Sequence, residues 1–423
     1  MIGALRSLLP DRHPLRLLWH KCKSVLAAAL YGFPARKLTV IGITGTDGKT
    51  TTVGMIAHIL CANTIRVGAA STAFLQIDGE RMENASHLTS LSPFTLQKFL
   101  RSLVHKGCTH AVVEMSSHGL VQSRTAWTFP YVAGITNTAL EHLDYHGSME
   151  QYRRDKAILF RMLGGKGVKV LNTLDETYRT YRDIASEKTI TYGGPDADLR
   201  ITDSTADAVS STATVITKGG AQERLKLSIP GTYNLENALC AIGCSMAVGI
   251  PIKACVTALA GFSGIPGRME RIDEGQDFSV YVDFAVSPQA YEKTLKALRT
   301  MVGETGRVMV LCSSCGNRMR EKRPQVGRIC SEFADIVVAT EDETYGEDPH
   351  AVLEEVWEGI DQSKCEAHKI FDRRTAIEFL LKNAGPSDAI VLCGMGPFST
   401  FTKLEGRIPW DERSVAREIL KSM

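Results

Sequence analysis

Lys37-Leu-Thr-Val-Ile-Gly-Ile-Thr-Gly-Thr-Asp-Gly-Lys-Thr-Thr-Thr52 is the stretch on which the reading of this chain turns. Residues 37–45 form an apolar, β-branched run that reads as a buried strand, and a helix follows through Ile59. Between them lies a glycine turn. In a phosphate loop, backbone N–H groups face a polyphosphate, a lysine reaches its outer oxygens, and a hydroxyl binds magnesium at the start of a helix. Gly45, Gly48, Lys49 and Thr50 fit those roles, with Thr46, Asp47 and Thr51 completing the nucleotide-binding set. The strict pattern fails at one place, because Ile43 stands where its first glycine belongs. The strand and helix around the loop favour nucleotide binding over a structural turn.

Outward from the loop, apolar runs at 111–115, 132–136 and 168–171 alternate with helical patterns at 94–105 and 149–163. This alternation predicts a mostly parallel sheet covered by helices. At 199–229 short alternating segments suggest an antiparallel insertion or edge. Gly261-Phe-Ser-Gly-Ile-Pro-Gly267 then separates a second series, with strands predicted at 278–283, 308–312, 336–340 and 389–393 and a helix at 288–300. The expected fold is α/β: a helical extension over 1–36, a central P-loop ATPase-like domain over 37–265, and a Rossmann-like domain over 266–423.

The bulk composition excludes several functions. Lysine plus arginine number 49 against 47 aspartate plus glutamate, so no net field draws the chain to nucleic acid. Eleven cysteines lie scattered without a framework or a secretory signal, which predicts reduced cytoplasmic thiols. Cys312-Ser-Ser-Cys315 is a single pair and lacks the second pair a structural zinc site wants. Residues 15–31 are apolar but broken by charges, too short for the span of about 20 residues a bilayer requires. An amphipathic helix packed on the protein body is the expectation there, ahead of an interfacial membrane contact.

Two further stretches carry specific chemistry: Val113-Glu-Met-Ser-Ser-His-Gly-Leu-Val-Gln-Ser-Arg124 and Thr136-Asn-Thr-Ala-Leu-Glu-His-Leu-Asp-Tyr-His-Gly147. Together with Thr44-Gly-Thr-Asp-Gly-Lys-Thr-Thr-Thr52, and in this order, they resemble the Mur ligase family. That family includes the peptidoglycan precursor ligases and folylpolyglutamate synthetase, and the likeness is strongest to the branch adding the third stem-peptide residue. The resemblance implies transfer of the γ-phosphoryl group of ATP to a carboxylate, followed by attack of an amine. Such a transfer crowds anionic oxygens together, so metal ions and cations must neutralise the charge. Glu114, an acid at the end of a predicted strand, suits Mg2+, which prefers oxygen ligands. The family adds His142 on a second Mg2+, Asn137 on the nucleotide, and Lys156 as a lysine carbamylated by carbon dioxide; Thr50, Glu114, His142 and Lys156 are thus the implied metal set, and Lys49, Glu114, His142 and Lys156 the catalytic one.

Further matches extend the likeness over about 37–420. In Gly231-Thr-Tyr-Asn-Leu-Glu-Asn-Ala-Leu239, Asn234 is implied near the adenine and also reads as a helix cap. In Pro266-Gly-Arg-Met-Glu-Arg-Ile272, Arg268 is implied near the phosphates, and Asp283 is a hinge or ribose contact. Ser92, Ser116, Gln122 and Arg124 correspond to residues that grip the sugar-peptide substrate, while Arg318, Lys322 and Arg323 either offer charge to phosphate or form a solvated basic loop. Departures gather at the amine end: Val286 replaces a histidine, Asp342-Glu-Thr-Tyr345 replaces an arginine-bearing segment, and Gly394-Met-Gly-Pro-Phe398 loses three polar groups. Asp342 and Glu343 are expected to attract an amino group, and diaminopimelate is not favoured as the amine.

Only about 38 residues precede the first strand, where muramyl ligases carry a uridine-nucleotide-binding domain. Either a partner protein supplies that binding or the acceptor lacks the uridine. The expectation is a cytoplasmic ATP-dependent ligase adding an amino acid to a muramyl-peptide-like carboxylate. Its rivals are a folylpolyglutamate-like ligase and a non-catalytic ATP-binding scaffold, the latter opposed by the intact phosphate and metal set.

Overall fold

The computed structural model describes residues 9–303, 305–317 and 319–423, which group into two units. The first contains residues up to 203, 213–226 and 235–262; the second contains 204–212, 227–234 and 263–423.

The first unit is built on β1 (Thr39–Thr44), β2 (Val67–Ala70), β3 (Phe74–Ile77), β4 (Glu80–Glu83), β5 (His110–Glu114), β6 (Pro130–Ile135), β7 (Val168–Asn172), β8 (Lys188–Tyr192), β9 (Leu199–Ala206), β10 (Ser211–Thr217) and β11 (Gln222–Leu227). Among the described residues they form one sheet in the order β11-β10-β9-β8-β7-β6-β1-β5-β2-β3-β4. β1 lies between β5 and β6, parallel to both, with Ile43 opposite Glu114 and Thr44 opposite Ile135. This register is what brings Glu114 beside the glycine loop. β1 is buried on both faces, as its unbroken Val-Ile-Gly-Ile run requires of a parallel strand.

Two helices show how the sequence places function. In Pro93–His105 the residues Leu96, Phe99, Leu100 and Leu103 recur at helical spacing and are buried, and the Ser92 side chain accepts from Thr95 N at the N-cap. In Met149–Arg161, capped by Ser148, the buried set is Tyr152, Asp155, Lys156, Leu159 and Phe160. Two charged residues thus lie on the face that meets the core.

The second unit carries β12 (Glu270–Ile272), β13 (Ser279–Asp283), β14 (Val308–Cys312), β15 (Ile336–Ala339), β16 (Glu366–Lys369) and β17 (Ala389–Cys393) in the order β12-β13-β17-β14-β15-β16. All neighbours are parallel except the β12–β13 pair. A hairpin of β18 (Thr400–Lys403) and β19 (Gly406–Pro409) follows. The short strands β2 to β4, β12, β16, β18 and β19 escape the sequence patterns, being only three or four residues long.

Apolar clusters cover both faces of this sheet, and Arg373 crosses one of them to Glu412, the guanidinium lying 2.6 Å from the carboxylate with both side chains buried. Removing one member leaves an unpaired charge in a low-dielectric interior. Glu412→Ala is therefore expected to destabilise the chain by about 3–5 kcal/mol in urea unfolding, while the double change Arg373→Met, Glu412→Leu recovers most of that loss.

Candidate active site

Gly45 and Gly48 hold backbone conformations at φ +149 and +76. A Cβ on Gly45 would lie 1.9 Å from Thr136 Oγ1, and one on Gly48 would lie 2.1 Å from Asn237 Oδ1. Only glycine fits at either place. The loop is braced from behind by the segment after β6. Thr46 N donates to Asn137 O (2.9 Å), Asp47 N to Asn137 Oδ1 (3.0 Å) and Thr136 Oγ1 to Asp47 O (2.6 Å). Asn137, expected on the nucleotide, thus also shapes the loop that would hold it. Asn237 is a brace that sequence reading passed over, although it is the second asparagine of a quoted motif.

Lys49 Nζ donates to Thr46 O at 2.7 Å, folding back over its own loop. At the head of the Lys49–Ala62 helix, Thr50 Oγ1 donates to Glu114 Oε2 at 3.0 Å. Thr72 completes that corner, donating from its N–H to Oε2 (2.7 Å) and from its hydroxyl to Oε1 (3.0 Å). Glu114 is buried, and no cationic side chain among the described residues pairs with it. A buried carboxylate held by neutral donors beside a loop hydroxyl is a donor set that suits a hard divalent cation. Thr72 had no sequence signal, since it follows a strand too short to read.

Lys156 is fully buried, its Nζ donating to Gly45 O at 2.6 Å and lying 4.2 Å from the Tyr152 ring centroid. Burial pushes its pKa well below that of a free lysine, and the positive charge of Lys49 pushes in the same direction. His142 sits at φ +60, its ring edge-on to His118 at 4.7 Å and its Nδ1 3.8 Å from Glu141. Thr50 and Glu114 are in contact, but no three His, Cys, Asp or Glu side chains among the described residues converge as a finished metal cage.

Next to Lys156 runs a buried chain that sequence reading missed. Ser117 Oγ lies 3.0 Å from His146 Nε2, His146 Nδ1 lies 2.6 Å from Asp155 Oδ2, and Arg12 NH1 donates to the same oxygen at 2.5 Å. Burial alone would raise the Asp155 pKa, but hydrogen bonds from His146, Arg12 and Gln151 outweigh it and hold the carboxyl at about 2. On the other side, Ser116 N donates to Ser90 Oγ (2.9 Å), Arg124 donates to Gln122 Oε1 (2.6 Å) and to Ser90 O (3.3 Å), and Gln122 Nε2 donates to the Tyr145 hydroxyl (3.4 Å). Ser116, Gln122 and Arg124 are thus brought into one network, while Ser92 serves as the helix cap two residues beyond Ser90.

Against known protein families, residues 43–245 match the Mur ligase middle domain and residues 267–396 match the Mur ligase glutamate ligase domain. The UDP-N-acetylmuramyl-tripeptide synthetase of Roseiflexus sp. (strain RS-1) is 37% identical over 420 residues, covering 94% of this chain and 81% of that protein. The chain belongs to the Mur ligase family. The UDP-N-acetylmuramoyl-L-alanyl-D-glutamate--2,6-diaminopimelate ligase of Gloeobacter violaceus is 37% identical over 399 residues, covering 93% and 80%. A solved ligase of that same description is 29% identical, covering 91% of this chain and 78% of its own at a TM-score of 0.63. Folylpolyglutamate synthase of Mycobacterium tuberculosis with ADP, 18% identical at a TM-score of 0.71 and covering 88% and 91%, shares the fold. This Mur ligase is accordingly an ATP-dependent acid–amino-acid ligase, of a family that uses ATP and Mg2+. No described helix is long and apolar enough to cross a membrane.

The second unit of this Mur ligase holds the remaining expected residues. Asn234 donates to Pro230 O at 2.7 Å from within the Tyr233–Ala247 helix. The Arg268 guanidinium lies 4.5 Å from the Phe284 ring centroid. Asp283 accepts from Met269 N (3.0 Å) and Thr294 Oγ1 (3.1 Å), and burial raises its pKa. Asp342 accepts from Ser313 Oγ and Glu343 N, both at 2.6 Å, and Glu343 accepts from Thr402 N (2.9 Å) and the Tyr345 hydroxyl (2.5 Å). The basic loop differs from expectation. Arg323 is fully buried between Glu347 and Glu355, and Lys322 is buried with Nζ donating to Val286 O at 3.0 Å, so both brace the Lys322–Phe333 helix instead of facing a phosphate. Arg318 lies outside the described residues.

Two measurements check this geometry. Gly48→Ala should weaken ATP binding about ten-fold or more by calorimetry, and adding Asn237→Ala should restore part of it, the positive-φ strain of about 1 kcal/mol remaining. Asp155 has a depressed folded pKa, so its stabilisation is present above the unfolded value near pH 4 and lost as pH falls toward 2. Asp155→Asn should therefore flatten the acid limb of the stability profile by about 2–3 kcal/mol.

Proposed function

We propose that this Mur ligase adds an amino acid to the carboxylate of a muramyl-peptide acceptor in peptidoglycan precursor synthesis. The observation that carries the site assignment is Lys156, fully buried with its Nζ on the Gly45 carbonyl of the phosphate loop. Burial and the charge of Lys49 lower its pKa, a direction that favours the neutral amine that carbamylation requires. Carbon dioxide adds to the neutral Nζ with loss of one proton, giving an anionic carbamate with two oxygens.

ATP with two Mg2+ ions would supply the phosphoryl group and neutralise the charge around it. Gly45 to Gly48 and the start of the Lys49–Ala62 helix offer N–H groups to phosphate, and Lys49 exchanges Thr46 O for the outer phosphate oxygens. Thr50 and Glu114 would hold one ion, and His142 with carbamylated Lys156 would serve the other. Ser92, Ser116, Gln122 and Arg124 orient the acceptor so that its carboxylate meets the phosphoryl group and the amine then attacks the acyl phosphate. Arg268, Asp283 and Asn234 complete nucleotide binding, and Asp342 and Glu343 line the amine end. We assign 37–265 to the central ATP-binding domain and 266–423 to the C-terminal domain.

The deciding assay measures ADP release with a panel of amino acids against uridine-linked muramyl peptides, lipid-linked muramyl peptides and folates. Stimulation by a muramyl peptide with one amino acid is expected; stimulation by folates alone, or none at all while ATP still binds, overturns the reading. Lys156→Ala should lower kcat by about 100-fold or more without recovery on adding bicarbonate, and full activity in that variant removes the carbamate from the mechanism.

A further inference from the structure

The Pro14–Leu30 helix is amphipathic in the reverse of the usual sense. Its buried residues are His20, Ser24, Ala27 and Ala28, a small and polar face. Leu15, Leu18, Trp19, Val25, Leu26 and Leu30 are between 40% and 68% exposed. At about 3.6 residues per turn these positions fall on one side of the helix, a stripe about 23 Å long at a rise of about 1.5 Å per residue. The sequence predicted that this helix would bury its apolar side against the body. It packs instead against the Pro93–His105 helix through the small face, with Trp127 Nε1 donating to Ser24 Oγ at 3.3 Å. The large side chains are left outward, a contiguous apolar surface of a kind soluble proteins rarely leave open.

Charge identifies what meets it. No aspartate or glutamate occurs between residues 12 and 46 or between 84 and 113, so both packed helices are free of acids. Lys21 and Lys23 flank the stripe, Lys98 is exposed on the neighbouring helix, and Arg101 reaches to 3.9 Å from the position of a Cβ on Gly32, beyond the helix end. Beside it Arg36 lies over the rings of Phe33 and Phe129, the latter 40% exposed. A second copy docked on this face would oppose lysine and arginine to their own copies, which repel. An anionic bilayer surface accepts both features: leucines and valine enter the acyl boundary, Trp19 sits at headgroup level, and the cations meet lipid phosphates.

We propose that the outward face of the Pro14–Leu30 helix docks this protein in the plane of an anionic membrane surface, without spanning it. The proposal stands apart from the ligase assignment, since none of these residues belongs to the site.

The test is flotation of the full chain with phosphatidylcholine vesicles, with and without phosphatidylglycerol. Binding is expected only with the anionic lipid and should weaken as added salt shortens the Debye length from about 10 Å to about 3 Å. Leu18→Glu with Leu26→Glu should weaken vesicle binding about ten-fold or more, and so should Lys21→Glu with Lys23→Glu, which leaves the apolar stripe intact. ADP release in solution and the thermal midpoint should stay unchanged in both. Absence of flotation with anionic vesicles overturns the proposal, as does binding indifferent to both pairs of changes. A concentration-dependent dimer that Leu18→Glu with Leu26→Glu dissociates, without vesicle binding, also overturns it and assigns the face to a second copy.

Discussion

The hydrogen bond from Lys156 to the carbonyl of Gly45 joins the two elements on which the site depends. At 2.6 Å, with Nζ wholly withdrawn from water, it ties the Met149–Arg161 helix to the loop that leaves β1. The contact needs three things together: a glycine whose backbone can turn at φ +149, a strand register that ends β1 at this point, and a helix face that brings position 156 inward. A buried lysine without a carboxylate partner is costly, and a native fold retains one where the environment gives it work. Lys49 lies on the same loop, and burial and the Lys49 charge both lower the Lys156 pKa, against the opposing pull of Asp47, Asp175 and Glu141.

Glu114 is the complement of this charge pattern. Three donors from Thr50 and Thr72 hold its carboxylate, none of them charged, so the negative charge is oriented without being cancelled. Cationic loop and anionic strand end are separate, each incomplete alone, and together they suit a nucleotide with its metal. The Ser117–His146–Asp155–Arg12 chain stiffens the same helix one residue from Lys156. It also ties the segment before the Pro14–Leu30 helix to the site helix, so the N-terminal region is anchored by charge as well as by packing.

How much of this the sequence displays depends on the range over which each feature is encoded. The glycine loop and Glu114 are legible because strand, turn and helix are contiguous, and a parallel strand end is where an acid can meet the loop. Thr72, Ser90 and Asn237 are not, since each acts through a register or a helix contact set by distant residues. Lys156 is visible from its motif, yet its burial follows only from the 152, 155, 156, 159, 160 spacing read as an inward face. Arg323 and Lys322 misled for the opposite reason: a basic cluster looks the same whether it faces solvent or neutralises Glu347 and Glu355 in the interior. The Pro14–Leu30 helix has a clear apolar stripe, but a stripe does not say which way it faces.

The amine end contrasts with the phosphate end in how its charges are held. Both oxygens of Asp342 and both of Glu343 already accept hydrogen bonds from their own unit, and Ser313, which serves Asp342, also lies 3.3 Å from the Arg373 guanidinium that pairs with Glu412. The two carboxylates are therefore held in place by their own unit, as fixed poles and not as mobile grips. Tyr345 is 37% exposed, sits at φ +49 where a β-branched residue would be strained, and donates its hydroxyl to Glu343 while its carbonyl accepts from Asn317 Nδ2. Asp342 and Glu343 are thus acids already engaged by donors of their own unit, with the Tyr345 hydroxyl as one of those donors.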